Sequence, residues 1–161
     1  MLTNEQLVTL KAYIATVPAW AALPNISDTA YFIADELNKP ATPAWIVWRE
    51  DVRADEIGNA WIGTDIDGMS ALNMQRLQLL LASSAGGTFD MRRIDRRAGF
   101  ENPFGANQNN ASRVAMRAAW KRSATVLEKL FSTGVGSDAS PAVTTVTGAV
   151  SYPDVLAARA L

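Results

Sequence analysis

The chain of 161 residues contains neither cysteine nor histidine. Without cysteine there can be no disulfide bond, no thiol nucleophile and no cysteine-ligated zinc. Without histidine the chain lacks the commonest general base near neutral pH and a leading metal ligand, which excludes Ser-His-Asp chemistry. Carboxylate, lysine or Mg²⁺ mechanisms survive in principle, but no residue pattern singles out a nucleophile. We therefore predict that the protein is not an enzyme and uses no cofactor or metal ion.

Long apolar runs are also missing. The longest span only a few residues, whereas a transmembrane helix needs about 20. The first residues are polar and lack the basic-then-apolar order of a signal peptide. Hydrophobic residues make up 48% and charged residues 19% of the chain, which is an ordinary globular balance. We expect a protein that is made in the cytoplasm and does not contact a membrane.

Apolar spacing predicts a mainly α-helical chain. Apolar residues recur every three or four positions, as on one face of a helix, in the segments 3–17, 28–38, 51–61, 69–83, 91–99 and 112–131. Thr3 and Gln6 have the spacing of a capping box, and Ser70 can cap the fourth of these helices, whose predicted core stripe is Leu72, Leu77, Leu80 and Leu81. Asp90 can cap the fifth, where Phe89 and Ile94 have the positions of a hydrophobic staple. Residues 44–48 could form either a short strand or the start of a helix.

The predicted architecture is a bundle of five or six helices in residues 1–131, followed by a linker and an extended C-terminal arm in residues 132–161. Alternating β-branched residues from Val143 to Val150 predict a short β segment in this arm. We expect the arm to pair with another subunit by strand addition. Its candidate contact residues are Val143, Val146, Val150, Tyr152, Val155 and Leu156.

Basic residues are concentrated in two helical segments. On a helix, the four arginines between 92 and 97 would share an arc of about 140°, opposite Met91, Ile94 and Ala98. A second basic row would lie on the helix that follows. This surface could face DNA phosphates or an acidic protein partner, or its arginines could pair with acids of the same chain. The candidate basic residues are Arg92, Arg93, Arg96, Arg97, Arg113, Arg117, Lys121 and Arg122.

Charge is divided unevenly along the chain. Residues 1–67 contain ten acidic and four basic side chains, a net charge of −6. Residues 68–131 contain ten basic and four acidic side chains, a net charge of +6. Such a division indicates either pairing between the two halves of one chain or head-to-tail association between copies.

Two smaller features leave a choice between structural and functional roles. Trp45 and Trp48 lie beside a proline-rich loop and could be core residues or interface anchors, where tryptophan is enriched. The acidic pairs at 50–51, 55–56 and 65 and 67 lie at expected helix starts or in loops. Because acids at those places stabilise the helix dipole or face water, we assign them structural roles.

The C-terminal part of the chain resembles small proteins encoded among the head genes of tailed phages and prophages. In those proteins a helix ends in a pattern like ATxxExLF, and a linker, a short extended segment and a closing DVxxA follow. The matching residues here are Ala124, Thr125, Glu128, Leu130, Phe131, Asp154, Val155 and Ala158. The run from Gly87 to Phe104 is also similar to the middle of such proteins, so the resemblance spans about two thirds of the chain.

This resemblance implies a head–tail connector or adaptor subunit of the virion neck. Such a subunit would join a ring, a dodecamer by family analogy, between the portal protein and the tail or stopper proteins. Its basic residues could face packaged DNA, and its localisation would be the virion. A head decoration or minor capsid protein is the first alternative, and a nucleic-acid-contacting or processing factor is an alternative of another class.

Overall fold

In a computed structural model of the protein, which describes residues 1–84 and 87–161, the chain is mainly helical, as predicted. Within these residues the α-helices are α1 (Asn4–Thr16), α2 (Pro18–Ala21), α3 (Ser27–Asn38), α4 (Ala54–Asn59), α5 (Gly63–Asp67), α6 (Ala71–Ala82), α7 (Ile94–Glu101), α8 (Ala111–Ala119), α9 (Val126–Leu130) and α10 (Tyr152–Ala160). A 3₁₀ turn spans Asn102–Phe104. No helix in the described part of the chain is long and apolar enough to cross a membrane.

The strands are short and lie between the helices. They are β1 (Ile46–Trp48), β2 (Val52–Arg53), β3 (Thr88–Phe89), β4 (Lys121–Ser123), β5 (Ser132–Thr133) and β6 (Val143–Thr144). Strand β2 pairs with β3, and β5 pairs with β6, both antiparallel. The segment 44–48, for which the sequence allowed a strand or a helix, therefore contains a strand.

The chain forms two compact units. Unit 1 combines Met1–Val47 with Ser123–Leu161, and unit 2 is the continuous segment Trp48–Arg122. Residues 132–161, predicted as a separate linker and arm, thus share a unit with the N-terminal helices.

Three helices enclose the core of unit 1. Helix α1 begins at the predicted capping box, in which the Thr3 amide donates to Gln6 Oε1 (2.8 Å) and the Gln6 amide donates to Thr3 Oγ1 (3.3 Å). Its buried residues pack with the predicted stripe of α3 and with the inner face of α10. These core residues are Leu10, Ile14, Ala30, Ile33, Ala34, Leu37, Val155 and Ala158.

The predicted extended arm is wrong, because this segment folds back onto unit 1. Strand β6 pairs with β5 in the register Ser132–Thr144. Val146, Val150 and Val155 are buried in the same core as α1 and α3. Of the predicted β segment from Val143 to Val150, only Val143–Thr144 forms a strand. The residues after it form α10, in agreement with Pro153 and Asp154 as signals for a helix start.

Unit 2 is built around aromatic and apolar residues from several short elements. Phe100 lies between Phe89 and Trp120, at ring-centroid distances of 5.0 Å and 6.2 Å. Helix α6 begins at Ser70, as predicted, because the Ser70 hydroxyl accepts from the Asn73 amide (3.3 Å). The fully or nearly buried residues are Val52, Ile57, Leu77, Phe89, Met91, Phe100, Met116 and Trp120.

The long helix predicted at 112–131 is interrupted. Helix α8 ends at Ala119, strand β4 follows, and α9 begins after Thr125. Thr125 and Glu128 form a capping box that restarts the helix. The Ala124 amide meanwhile donates to Trp45 O (2.8 Å), so it cannot take part in a continuous helix.

Replacing Val155 tests the packing of α10. Val155→Ala removes two buried methyl groups and leaves a cavity, so we expect it to lower the free energy of unfolding by about 2 kcal/mol. The matched control, Leu161→Ala, truncates a side chain that is 53% exposed, and we expect a change within about 0.5 kcal/mol. Urea unfolding followed by circular dichroism measures both. Equal effects of the two variants would show that α10 is not part of the core.

Candidate interaction surface

The four arginines between 92 and 97 do not share one helical face. Helix α7 begins only at Ile94, with Arg93 at its N-cap, so Arg92 and Arg93 precede the helix. Asp90, predicted as the N-cap, instead accepts from the amide and Nε of Arg92 (3.0 and 2.9 Å). This local turn competes with helix initiation. Ile94, predicted to staple against Phe89, is 74% exposed.

Three of these arginines bind acids, backbone carbonyl groups or an aromatic ring within unit 2. Arg92 Nη1 lies 2.7 Å from Glu50 Oε2, and Arg93 forms an exposed pair with Asp95 (2.6 Å). Arg97 donates to the carbonyl oxygens of Met91 and Arg92, and its guanidinium lies 4.1 Å from the ring centroid of Trp48. Arg92 and Arg93 thus pair with acids of their own chain.

Arg113 and Arg117 converge on one carboxylate, that of Glu101. Arg113 Nη2 lies 2.7 Å from Glu101 Oε2, and Arg117 Nε lies 2.6 Å from Glu101 Oε1. The side chains of Arg113 and Glu101 are only 5% and 12% exposed. Arg113 is therefore buried and cannot belong to the exposed basic row that the sequence predicted.

The same cluster anchors the polar loop before α8. The Gln108 Oε1 atom accepts from Arg113 Nη2 (3.1 Å) and from Arg117 Nη2. Arg113 Nη1 also donates to the carbonyl oxygen of Gly105. The loop geometry thus depends on a charged cluster whose central acid is Glu101, in agreement with the alternative in which the arginines pair with acids of the same chain.

The pKa of Glu101 reflects this environment. Burial by itself would raise the pKa of the carboxyl group, but the hydrogen bonds from Arg117 and Arg113 outweigh it and hold the pKa below its usual value. The ionised form is therefore stabilised in the folded protein.

The other predicted site residues also have structural roles. Lys121 and Arg122 are half-buried in β4, and neither is without a partner. Trp45 donates from Nε1 to Ser132 Oγ (2.8 Å). Among the predicted arm residues, Tyr152 stacks on Tyr31 at a centroid distance of 4.0 Å, and Val143 and Leu156 are half-buried.

The acidic pairs occupy helix starts and loops, as expected, and most of them bind neighbouring groups. Glu56 lies 2.5 Å from Arg49, and the Asp65 carboxylate accepts from the hydroxyl and amide of Ser112 (2.7 and 2.9 Å). In the residues that the structure describes, no group of three acids is placed to hold a metal ion.

Helix α6 carries an exposed stripe with apolar residues that was not predicted from the sequence. Leu72, predicted to be a core residue, is 57% exposed, and Leu79 is 64% exposed. Together with Arg76 and Ser83 they are spaced by three or four residues and lie on one helical face. Leu79 and Arg76 line a groove of about 440 Å³ whose other walls are Leu80, Ser83, Gly99, Asn102 and Pro103. We call this the α6 groove.

Comparison of the chain with protein-family models, with curated proteins and with solved structures found no match in any of the three. The resemblance to head–tail connector proteins therefore rests on its motif residues alone.

The contact between Trp45 and Gly136 gives a prediction with a matched control. A Cβ atom at Gly136, where φ is +67°, would overlap the Trp45 indole, whereas at Gly148, where φ is +87°, it would meet nothing within 4 Å. We expect Gly148→Ala to destabilise the fold by about 1 kcal/mol through backbone strain alone. Gly136→Ala adds the overlap with the Trp45 indole, so we expect it to lower the free energy of unfolding by about 3 kcal/mol in total. Urea unfolding compares the variants, and equal losses would contradict the packing of Trp45.

Replacement of Glu101 tests the charged cluster. Glu101→Gln leaves two arginines without their shared carboxylate, so we expect the free energy of unfolding at neutral pH to fall by about 3 kcal/mol. Asp95→Asn removes an acid from an exposed arginine pair, and we expect little change because water already screens that pair. Thermal or urea unfolding of both variants beside the unchanged protein provides the comparison.

The effect of Glu101→Gln also has a predicted pH dependence. Because the folded-state pKa of Glu101 is lowered, its stabilising contribution is fully present above the unfolded-state pKa of about 4.3. It is lost as the pH falls through the folded-state pKa. The stability difference between the two proteins should therefore be constant near neutrality and shrink in acid. A difference that grows on acidification would contradict the assignment.

Proposed function

We propose that the protein is a structural subunit of a tailed-phage virion, a head–tail connector that docks as a ring between portal and tail. The supporting observation is that the C-terminal motif residues of the resemblance, although far apart in the sequence, all belong to unit 1. Ala124, Glu128, Asp154, Val155 and Ala158 are all buried. The pattern therefore has a physical basis as a set of core and capping positions.

In both halves of the pattern a carboxylate binds the start of a helix. At α9 the Thr125 hydroxyl accepts from the Glu128 amide, and the Glu128 carboxylate accepts from the Thr125 amide. At α10 the Asp154 carboxylate accepts from both the amide and the hydroxyl of Ser151. The acidic residues of the pattern thus position helices and do not belong to a reaction centre.

Charge also supports an assembly role. Unit 1 contains four basic and seven acidic residues, a net charge of −3. Unit 2 contains eleven basic and nine acidic residues, a net charge of +2. Opposite charges on the two units favour a defined orientation between neighbouring subunits. The ring, its portal and tail or stopper partners, and contact with packaged DNA belong to this proposal by family analogy.

Labelling the subunit in intact particles tests the proposal. Because the chain has no cysteine, Thr9→Cys on the exposed side of α1 gives one site for a maleimide-linked gold label. We expect about twelve labels per particle, at the junction of head and tail, as a closed ring requires. Unchanged protein, which lacks a thiol, is the control for non-specific labelling.

Three results would contradict the proposal. Hundreds of labels over the shell would identify a decoration or minor capsid protein. Absence of the protein from purified particles would show that it is not a virion component. Steeply salt-dependent binding to free DNA, with no binding to portal or tail proteins, would favour a nucleic-acid-contacting factor.

A further inference from the structure

The α6 groove combines apolar walls with two basic side chains at its rim. Arg76 is exposed beside Leu79 and donates a long hydrogen bond to Asn73 (3.4 Å). Arg96 reaches Ser83 Oγ on the same groove at 3.5 Å. Within the described residues, neither arginine lies in salt-bridge range of a carboxylate. The groove therefore suits an occupant that brings apolar and acidic side chains together.

Helix α3 presents such a surface. Tyr31 and Phe32 are 56% and 50% exposed, and the exposed acids Asp28 and Asp35 lie on the same helical face at i, i+3, i+4 and i+7 spacing. Tyr31 is held in place by stacking on Tyr152. Among the described residues, Asp35 forms an ion pair with the exposed Lys39 (3.2 Å), a contact of little energy. We call this surface the α3 face.

Each of the two surfaces carries two like charges at separated points along a helix. Asp28 and Asp35 are seven residues apart on α3, which corresponds to about 10.5 Å along a helix. On α6, Arg96 donates to Ser83, whereas Arg76, seven residues before Ser83, reaches back to Asn73. A helix laid in the groove could place one carboxylate near each guanidinium.

We propose that the α3 face of one copy docks in the α6 groove of a second copy. Tyr31 and Phe32 on the α3 face and Leu79 in the α6 groove all have exposed side chains. Because the two surfaces differ, the contact is head-to-tail and generates a closed ring or an open filament. Its place in a virion ring rests on the proposed function, but the contact itself is a property of the purified protein.

The contact is weak as a single pair. One helix face in a short groove is smaller than a standard interface of about 1,600 Å². We therefore expect concentration-dependent association of the purified protein in sedimentation experiments, weakened by salt because the charged pairs are exposed.

A reciprocal charge exchange tests the pairing. The first variant carries Asp28→Arg and Asp35→Arg, which makes its α3 face basic like its groove. The second carries Arg76→Glu and Arg96→Glu, which makes its groove acidic like its α3 face. We expect each variant alone to associate at least about tenfold more weakly than the unchanged protein. Mixing them should restore association, because each surface then meets a partner of opposite charge.

The control variant carries Glu5→Arg and Asp67→Arg. It changes the net charge by the same amount as the first variant but leaves the α3 face intact, so its association should stay within about twofold of the unchanged protein. Circular dichroism of all variants confirms folding. Association that is unaffected in both test variants, or that mixing does not restore, would overturn the proposal.

Cross-linking identifies the surfaces directly. Single variants Phe32→Cys and Leu79→Cys are mixed and treated with a short bis-maleimide, which can link them only between chains. We expect a mixed dimer from this combination and none from Phe32→Cys with Asn109→Cys, an exposed loop position in unit 2. Equal yields from the two combinations would contradict the contact.

The outcomes separate this proposal from the proposed function. Specific cross-links without virion localisation would support the contact and contradict the connector role. Neck labelling without any cross-link, in solution or in particles, would support the connector role and overturn the contact. If the groove variant alone lost binding to a portal or tail protein, the occupant would be that protein and not a second copy.

Discussion

Unit 1 depends on the packing of α10, from the C-terminal part of the chain, against α1 and α3 from its N-terminal part. Polar contacts fix this packing as firmly as apolar ones. The Asp154 carboxylate accepts from the Leu2 amide at 3.0 Å, and the Asn38 side chain donates to and accepts from the backbone of Val150, both at 2.9 Å. Burial would raise the pKa of Asp154, but the hydrogen bonds from Ser151 and Leu2 lower it. The exposed side of α3 is available for contacts because its other side is fixed here.

In unit 2, several arginines form ion pairs with acids of the same unit. These pairs determine which arginines remain available to bind a partner. Arg113 and Arg117 both form ion pairs with Glu101. Removal of this acid would leave their positive charges without a carboxylate partner. Arg92 is committed to Asp90 and Glu50. Most of the arginines that the sequence predicted on an exposed surface therefore form ion pairs and hydrogen bonds within unit 2. The arginines that can attract a partner are better sought beside the exposed leucines of α6.

Local signals predicted local structure well. The Thr3 capping box, the Ser70 cap and the α3 stripe from Ala30 to Leu37 depend on residues within a turn or two of one another, and the structure has each of them. Most failures involve distant partners. The helix at 112–131 is broken where Ala124 bonds to Trp45, and burial of Val146 and Val150 requires α1 and α3. Neither could be inferred from neighbouring residues. The predicted cap at Asp90 failed for a local reason, its bonds to Arg92.

The discontinuity of unit 1 has a consequence for how the protein is made. During synthesis, unit 2 has all its residues once position 122 has left the ribosome, and it can fold as a unit. The apolar faces of α1 and α3 remain uncovered until Val155 and Ala158 of α10 have been synthesised. A chain that ends before α10 would leave these apolar faces uncovered, and chaperones and proteases recognise such incompletely folded chains. Unit 1 can therefore reach its final packing only in chains that have been translated through α10.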